Sequence, residues 1–212
     1  MIDSHCQDEI IAVLLQQPLE VREQVEEVSL DMWGGFPKVV KQVFPNAVIV
    51  IDRFHVMQAV NQELNKIRKQ VGILDRGSKY LLLKNRKDLT DEQTEKLALL
   101  LQRSRRLRQA YTWKEEFRDI YEQQCSVEEG KQQIEQWLQK VRKVYGEVIG
   151  TIRTHLDGIC NYFRNRTTNG AMEGINNRIK LIKRQAYGFV NFDNFRERLL
   201  ACFAHKVKLS PD

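Results

Sequence analysis

Val28-Ser29-Leu30-Asp31 and Ala47-Val48-Ile49-Val50-Ile51-Asp52 are the two stretches that decide the fold. The first alternates apolar and polar residues like a strand and ends on an acid. The second is a continuous apolar run, which reads as a strand buried on both faces. Between them, Gly34, Gly35 and Pro37 open a helix, because proline is tolerated in a first helical turn. Phe36, Val39, Val40, Val43 and Phe44 give that helix a core-facing stripe at i, i+3, i+4, i+7 and i+8, and Pro45-Asn46 ends it. Strand, helix and strand at this spacing form a βαβ unit with parallel strands. Asp31 and Asp52 then stand at C-terminal strand ends, the edge at which open α/β sheets usually place their chemistry.

Outward from this unit the chain is mostly helical. Asp8 to Gln17 is a short helix candidate stopped by Pro18. Met57, Val60, Leu64, Ile67 and Val71 recur by threes and fours after Arg53, and Gly72 is a helix stop. The stretch from Leu74 to Gly146 is rich in Lys, Arg, Glu and Gln. Thr90 with Gln93, and Ser126 with Glu129, have capping-box spacing. Trp113, Phe117, Ile120, Ile134, Trp137, Leu138 and Val141 supply its apolar face. Ile149, Ile152, Leu156, Ile159 and Phe163 mark one further helix. Arg166 to Gly170 breaks the pattern, and two last helices run through Met172, Ile175, Ile179 and Ile182, and through Phe192, Phe195, Leu199 and Phe203. The fold class expected is α/β but mostly helical, with an α/β part over residues 1–72, an all-helical insertion over 73–146 and C-terminal helices over 147–212.

With 42% hydrophobic residues in 212, the chain can bury a real core. No apolar run approaches the roughly 20 residues of a membrane span. The first residues carry neither a basic nor an apolar leader pattern. Cys6, Cys125, Cys160 and Cys202 are scattered without a Cys-x-x-Cys pair, which points away from zinc and disulfides and toward a reducing, cytoplasmic setting. The formal charge of +6 fits a polyanion partner and equally a slightly basic soluble protein. Its distribution is local: Arg164 to Lys208 holds ten cations against three acids, an excess of seven that leaves the remainder nearly neutral. Tyr187, Phe189, Phe192 and Phe195 are interleaved with these cations, as core or as stacking groups.

The acids carry the chemistry. Glu173 opens a helix on which Asn177, Lys180 and Arg184 share its face, flanked by Asn176 and Lys183. One carboxylate among Lys180, Lys183, Arg184 and the upstream Arg164 and Arg166 suits a divalent cation beside a phosphate backbone. A solvated helix face whose glutamate is favoured by the helix dipole would look the same. His55 follows Asp52 by three, as a supporting or phosphate-contacting pair or as a simple helix cap with a satisfied histidine.

Several short motifs in order carry a resemblance. They are Val28-Ser29-Leu30-Asp31-Met32, Phe44-Pro45-Asn46-Ala47 and Asp52-Arg53-Phe54-His55-Val56, then Glu173-Gly174-Ile175-Asn176-Asn177, Ile179-Lys180, Tyr187-Gly188-Phe189 and Asn194-Phe195-Arg196. Over roughly residues 25 to 205 the chain resembles the DDE transposases of the ISL-three insertion-sequence group. That resemblance implies an RNase H-like core, DNA strand cleavage and transfer, and three carboxylates holding two magnesium ions. It makes Asp31 the second acid of the triad, Glu173 the third, and Asp52 with His55 an accessory Asp-x-x-His motif. A rival mapping gives Asp52 the place of Asp31. The implied partners are transposon-end DNA and another copy of the chain or a full-length transposase. Arg164, Arg166, Asn177, Lys180, Lys183 and Arg184 are then DNA contacts.

Only 30 residues precede Asp31, with one helix candidate and no run of strands, so the first triad aspartate and the first sheet strands are expected to lie outside this chain. A truncated region inactive by itself is therefore expected. A non-catalytic remnant that binds DNA or transposase is the alternative, and a helical interaction protein with an incidental basic end is a third reading.

Overall fold

The computed structural model describes residues 2, 4–32 and 36–204. In chain order its elements are helices α1 (Gln7–Leu14) and α2 (Leu19–Glu23), strand β1 (Glu27–Leu30), helix α3 (Phe36–Val43) and strand β2 (Val48–Ile51). Helices α4 (Arg53–Gln70), α5 (Ser78–Leu83), α6 (Asp91–Gln102), α7 (Arg105–Glu122) and α8 (Val127–Val141) follow. Then come α9 (Glu147–Thr154), α10 (Leu156–Cys160), α11 (Tyr162–Asn165), α12 (Gly170–Gln185) and α13 (Phe192–Ala204). The chain is thus mostly helical, with a two-stranded sheet among the described residues. Gly34 and Gly35, the expected lead-in to α3, lie outside those residues, as do Lys206 and Lys208 of the basic stretch.

Packing divides the chain into two compact units. One comprises Glu26–Gly34 and Asn46–Thr168, the other Met1–Val25, Gly35–Pro45 and Asn169–Asp212. In the first, β1 and β2 pair in parallel, with Glu27 opposite Val48 and Leu30 opposite Ile51. The β-branched run Val48–Ile51 suits this place, and Val50 and Ile51 are buried. α4 then inserts Val56, Val60, Leu64 and Ile67 into the core. Full burial of such a side chain contributes about 1.5–3 kcal/mol. α7 packs along α4, and α8 along α7. Their aromatic residues interlock: Phe117 lies 4.4 Å from Trp137 between ring centroids, and Tyr121 stacks on Phe163 at 5.8 Å. Both expected capping boxes form, Thr90 with Gln93 on α6 and Ser126 with Glu129 on α8.

The stretch read as one helix over Ile149 to Phe163 is three short ones. The breaks fall at His155 and Asn161. Two contacts with β2 account for the turn at Asn161. The Asn161 amide donates to the Ile49 carbonyl at 2.8 Å, and Gly158 lies so close to the strand that a Cβ there would meet Ile51 Cγ1 at 2.8 Å. A continuous straight helix would give up both. The chain therefore returns to the sheet directly after the helices of 78–141.

In the second unit α1 packs against α3, joining Ile11 to Val39 and Val43. Arg22, beyond the stop at Pro18, donates to the Val43 carbonyl at 2.8 Å and so satisfies an end of α3. α12 and α13 pack as a pair. The Arg178 guanidinium donates to the Cys202 carbonyl at 2.5 Å and lies over the Phe203 ring at 4.6 Å.

Candidate functional site

The parallel register fixes where the two aspartates stand. The Asp52 amide donates to the Leu30 carbonyl at 2.8 Å, so pairing continues to the end of both strands and Asp31 and Asp52 leave the same sheet edge. Their environments differ. Asp31 is exposed. Asp52 is 4% exposed and is the N-cap of α4, its Oδ1 accepting the Phe54 N–H at 2.8 Å. That bond satisfies one of the four N–H groups a helix start leaves unpaired. One carboxylate oxygen of Asp52 is thereby committed to holding a helix.

The Asp-x-x-His spacing puts His55 in the first turn of α4, its N–H donating to the Asp52 carbonyl at 3.1 Å. The imidazole is half-buried, 5.5 Å and edge-on from the Phe54 ring. With Met32, Gln58 and Thr151 it lines a cleft of about 400 Å³ between α4 and α9. Lys66, at the far end, is tied to Glu147 at 2.5 Å and Glu63 at 3.3 Å. Arg53, next to Asp52, hydrogen-bonds Glu122 and lies over the Tyr121 ring. Its hydrogen bond holds the Glu122 carboxyl below the usual range. Arg53 is thus engaged within the fold.

A second cleft, of about 500 Å³, flanks the other side of α4. The amides Gln58, Asn61, Gln62 and Asn65 border it at i, i+3, i+4 and i+7, with Lys79, Asn85 and Arg118 opposite. None of the motifs points to these groups. The signal present in the sequence is their spacing, the polar complement of the Val60–Leu64–Ile67 stripe.

The remaining candidates belong to two units. Arg164 and Arg166 end α11, both exposed. Arg166 adopts a left-handed conformation at φ 55° and donates to the Gln123 carbonyl, so it fastens the end of α11 to the end of α7. Glu173 lies in the first turn of α12 in the other unit, exposed. Asn177, Lys180, Lys183 and Arg184 follow it, also exposed. Lys180, Lys183 and Arg184 line an open cleft at the end of α12 with Tyr187 and Gly188. Tyr187 is fully exposed, whereas Phe189 and Phe195 pack together at 5.0 Å, so the aromatic residues of this stretch divide between surface and packing.

Among the described residues no group of three or more His, Cys, Asp or Glu side chains stands close enough to hold a metal ion. Asp31 and Asp52 supply two neighbouring strand-end carboxylates, and Asp52 accepts the Phe54 amide. They do not by themselves make a two-metal site. No helix of the described residues is long and apolar enough to cross a membrane.

Parallel strands ending in acids thus precede a long helical stretch and a basic helix that opens on a glutamate. Comparison with known proteins places the chain in a family. The model of the ISL3-group DDE family, described as "Transposase", matches residues 2–199, and the chain belongs to that family. It is 27% identical over 203 residues to the transposase for insertion sequence element IS1001 of Bordetella parapertussis, covering 89% of this chain and 50% of that protein. To the transposase for element IS1557 of Mycobacterium tuberculosis it is 27% identical over 201 residues, 78% of this chain and 45% of that protein. The chain spans about half the length of these curated relatives. No solved structure matches it.

Proposed function

We propose that this chain carries the later part of the catalytic region of an insertion-sequence DNA transposase. In this reading Asp31 and Glu173 are two of the carboxylates of an RNase H-like strand-transfer site. The observation that carries it is the contrast at the sheet edge: Asp31 is exposed there, while Asp52 is buried and caps α4. This contrast favours Asp31 as the metal-holding acid and leaves Asp52 and His55 to fix the start of α4. Residues 1–72 and 147–212 would form the core and 73–146 the insertion; the packing of α10 on β2 supports a return to the sheet after the insertion. Magnesium held by Asp31, Glu173 and a further carboxylate would activate the attacking oxygen and stabilise the leaving one. The cations Lys180, Lys183 and Arg184, with Asn177, would neutralise and position the DNA backbone, and Arg164 would extend that surface. Arg166 contributes while keeping its bond to Gln123. Transposon-end DNA is the proposed partner, with a second copy or a full-length transposase completing the assembly in the cytoplasm.

In the same reading the chain alone does not nick DNA. Magnesium-dependent nicking by the purified chain, abolished in Glu173→Ala, would overturn that point. The site assignment is tested by Mn²⁺ titration of the chain followed by electron paramagnetic resonance. Asp31→Asn and Glu173→Gln are expected to weaken binding, and Asp52→Asn to leave it unchanged; the reverse pattern hands the role to Asp52. The DNA reading is tested by the salt dependence of duplex binding. Each phosphate contact contributes about −0.9 to the slope of log K against log salt. Replacing Lys180, Lys183 and Arg184 by alanine should therefore flatten it by about 2 to 3. An unchanged slope removes α12 from the interface. Salt-dependent binding without metal uptake would favour the non-catalytic DNA-binding alternative.

A further inference from the structure

We infer that the cleft between α4, α5 and α7 is a pocket for an unstacked nucleobase of the bound DNA. The inference rests on the DNA-binding reading above. At about 500 Å³ the cleft falls within the range of small-ligand sites, about 300–1,000 Å³. Its lining has three kinds of group that an extruded nucleotide requires. Phe54, 62% exposed at the start of α4, offers an aromatic face for stacking. Asn61 offers a whole amide, and Asn65 Nδ2 and Asn85 Oδ1, the atoms not bonded to Arg68 and Asp88, offer a further donor and acceptor for the edge of a base. Lys79 brings an exposed cation for the adjoining phosphate, and Arg118, beside Glu115, a second positive charge at the wall.

A second, independent observation is that two polar atoms of the lining are left unsatisfied from within. Asn61 Oδ1 and Arg118 Nε are both buried without a hydrogen-bond partner among the described residues. The nearest carboxylate oxygen to Arg118 Nε, from Glu115, is 3.9 Å away, beyond hydrogen-bonding distance. Leaving a buried donor or acceptor unpaired is costly, and native folds pair most of them with protein or water. Half a turn of the Asn61 amide exchanges its oxygen for its nitrogen, so either can meet a base edge. Phe54 needs no rearrangement: its backbone is fixed by the Asp52 cap and its ring by edge contact with His55. The Asp52 motif thus positions an aromatic platform, a role distinct from holding metal.

The probe is a short single-stranded oligonucleotide carrying 2-aminopurine, compared with the same sequence as a fully paired duplex. The purified chain is expected to bind both, and the 2-aminopurine fluorescence to change on binding the single strand. Base–aromatic stacking lost by truncation weakens binding at least about fivefold. Phe54→Ala, at an exposed position, should therefore lower single-strand affinity by that factor or more and leave the salt slope unchanged. Asn61→Leu should alter the order of preference among the four bases at the probe position. If Asn61→Leu unfolds the chain, Asn85→Ala gives the same readout. Duplex and single-strand binding unaffected by Phe54→Ala and by the asparagine variants overturns the pocket while the DNA reading stands. Failure of the wild-type chain to bind either DNA overturns the DNA reading itself.

Discussion

Replacing Asp52 tests whether its carboxylate holds the start of α4. Asp52 is 4% exposed and accepts the Phe54 N–H at 2.8 Å as the cap of an 18-residue helix. Alanine removes the acceptor and leaves that N–H unpaired, at a cost of about 0.5–2 kcal/mol for an N-cap of this kind. Burial places the loss in the upper half of that interval, because water has little access to repair it. Asparagine keeps an acceptor oxygen in the same position and ranks with aspartate as a cap, so Asp52→Asn should cost only a few tenths of a kcal/mol. Buried Trp113 and Trp137 both lie in the unit that contains α4, so tryptophan emission in a urea titration reports its unfolding. With a urea slope of about 2 kcal/mol per M, alanine should lower the midpoint by about 0.5–1 M and asparagine by about 0.2 M or less. Equal loss in both variants would refute the capping argument. It would mean that the negative charge of Asp52, which asparagine cannot supply, is what the fold requires.

A methyl group at Gly130 would lie 2.3–2.4 Å from the buried Phe163 ring. Gly130→Ala should cost about 1–3 kcal/mol in the same assay, whereas Gly150→Ala, in open space on α9, should be neutral or stabilising by up to about 1 kcal/mol. The fully buried Lys114 ammonium donates to the Leu82 carbonyl at 2.9 Å and pairs with Glu115. Lys114→Met should therefore destabilise by about 3–5 kcal/mol, since the buried glutamate loses its ammonium partner and is left with Arg118 Nε 3.9 Å away; a loss below about 1 kcal/mol would show that the pair is dispensable. Burial pushes the Cys160 thiol up to about 12. From about pH 9 the unfolded chain therefore gives up a proton that the folded chain retains, and stability falls with rising pH by about 1.4 kcal/mol per unit. Cys160→Ala should flatten that decline, measured as urea midpoints between pH 9 and the onset of tyrosine ionisation.

Periodicity and capping chemistry made most of the helical unit legible. The α4 stripe from Met57 to Ile67 is buried as spaced, and Gly72 follows the helix at φ 74°. Thr90 and Ser126 start their helices as read, because a capping box is local and needs no tertiary partner. The run from Ile149 to Phe163 was not legible as three pieces. Its spacing is helical throughout, and the turn at Asn161 depends on β2, more than a hundred residues earlier. The spacing of four, three and four from Glu173 through Asn177 and Lys180 to Arg184 on α12 predicted one polar face, and those residues are exposed. Its apolar counterpart is less simple: Ile182 is buried, whereas Met172 and Ile175 are largely exposed. The parallel strand pair and its two terminal acids were legible, but the difference between the acids was not. Whether an Asp after a strand caps the next helix or faces solvent depends on the turn it enters.

That difference changes how the Asp-x-x-His motif is understood. A motif of one acid and one histidine three residues apart invites a catalytic reading, yet here the acid spends one oxygen on the Phe54 amide and the histidine packs beside the Phe54 ring. Phe54 stands between them in sequence and is the most exposed of the three. The physical product of the motif is an aromatic side chain held at a helix start beside a polar cleft, next to a strand-end acid of a different kind in Asp31. Conservative and non-conservative changes therefore separate the two functions. Asp52→Ala removes the acceptor that fixes the platform, whereas Asp31→Asn keeps it and removes a proposed metal-holding carboxylate, so in the proposed reading this pair divides DNA positioning from metal binding. Loss of both functions in Asp52→Asn alone would collapse this division and return Asp52 to the metal site.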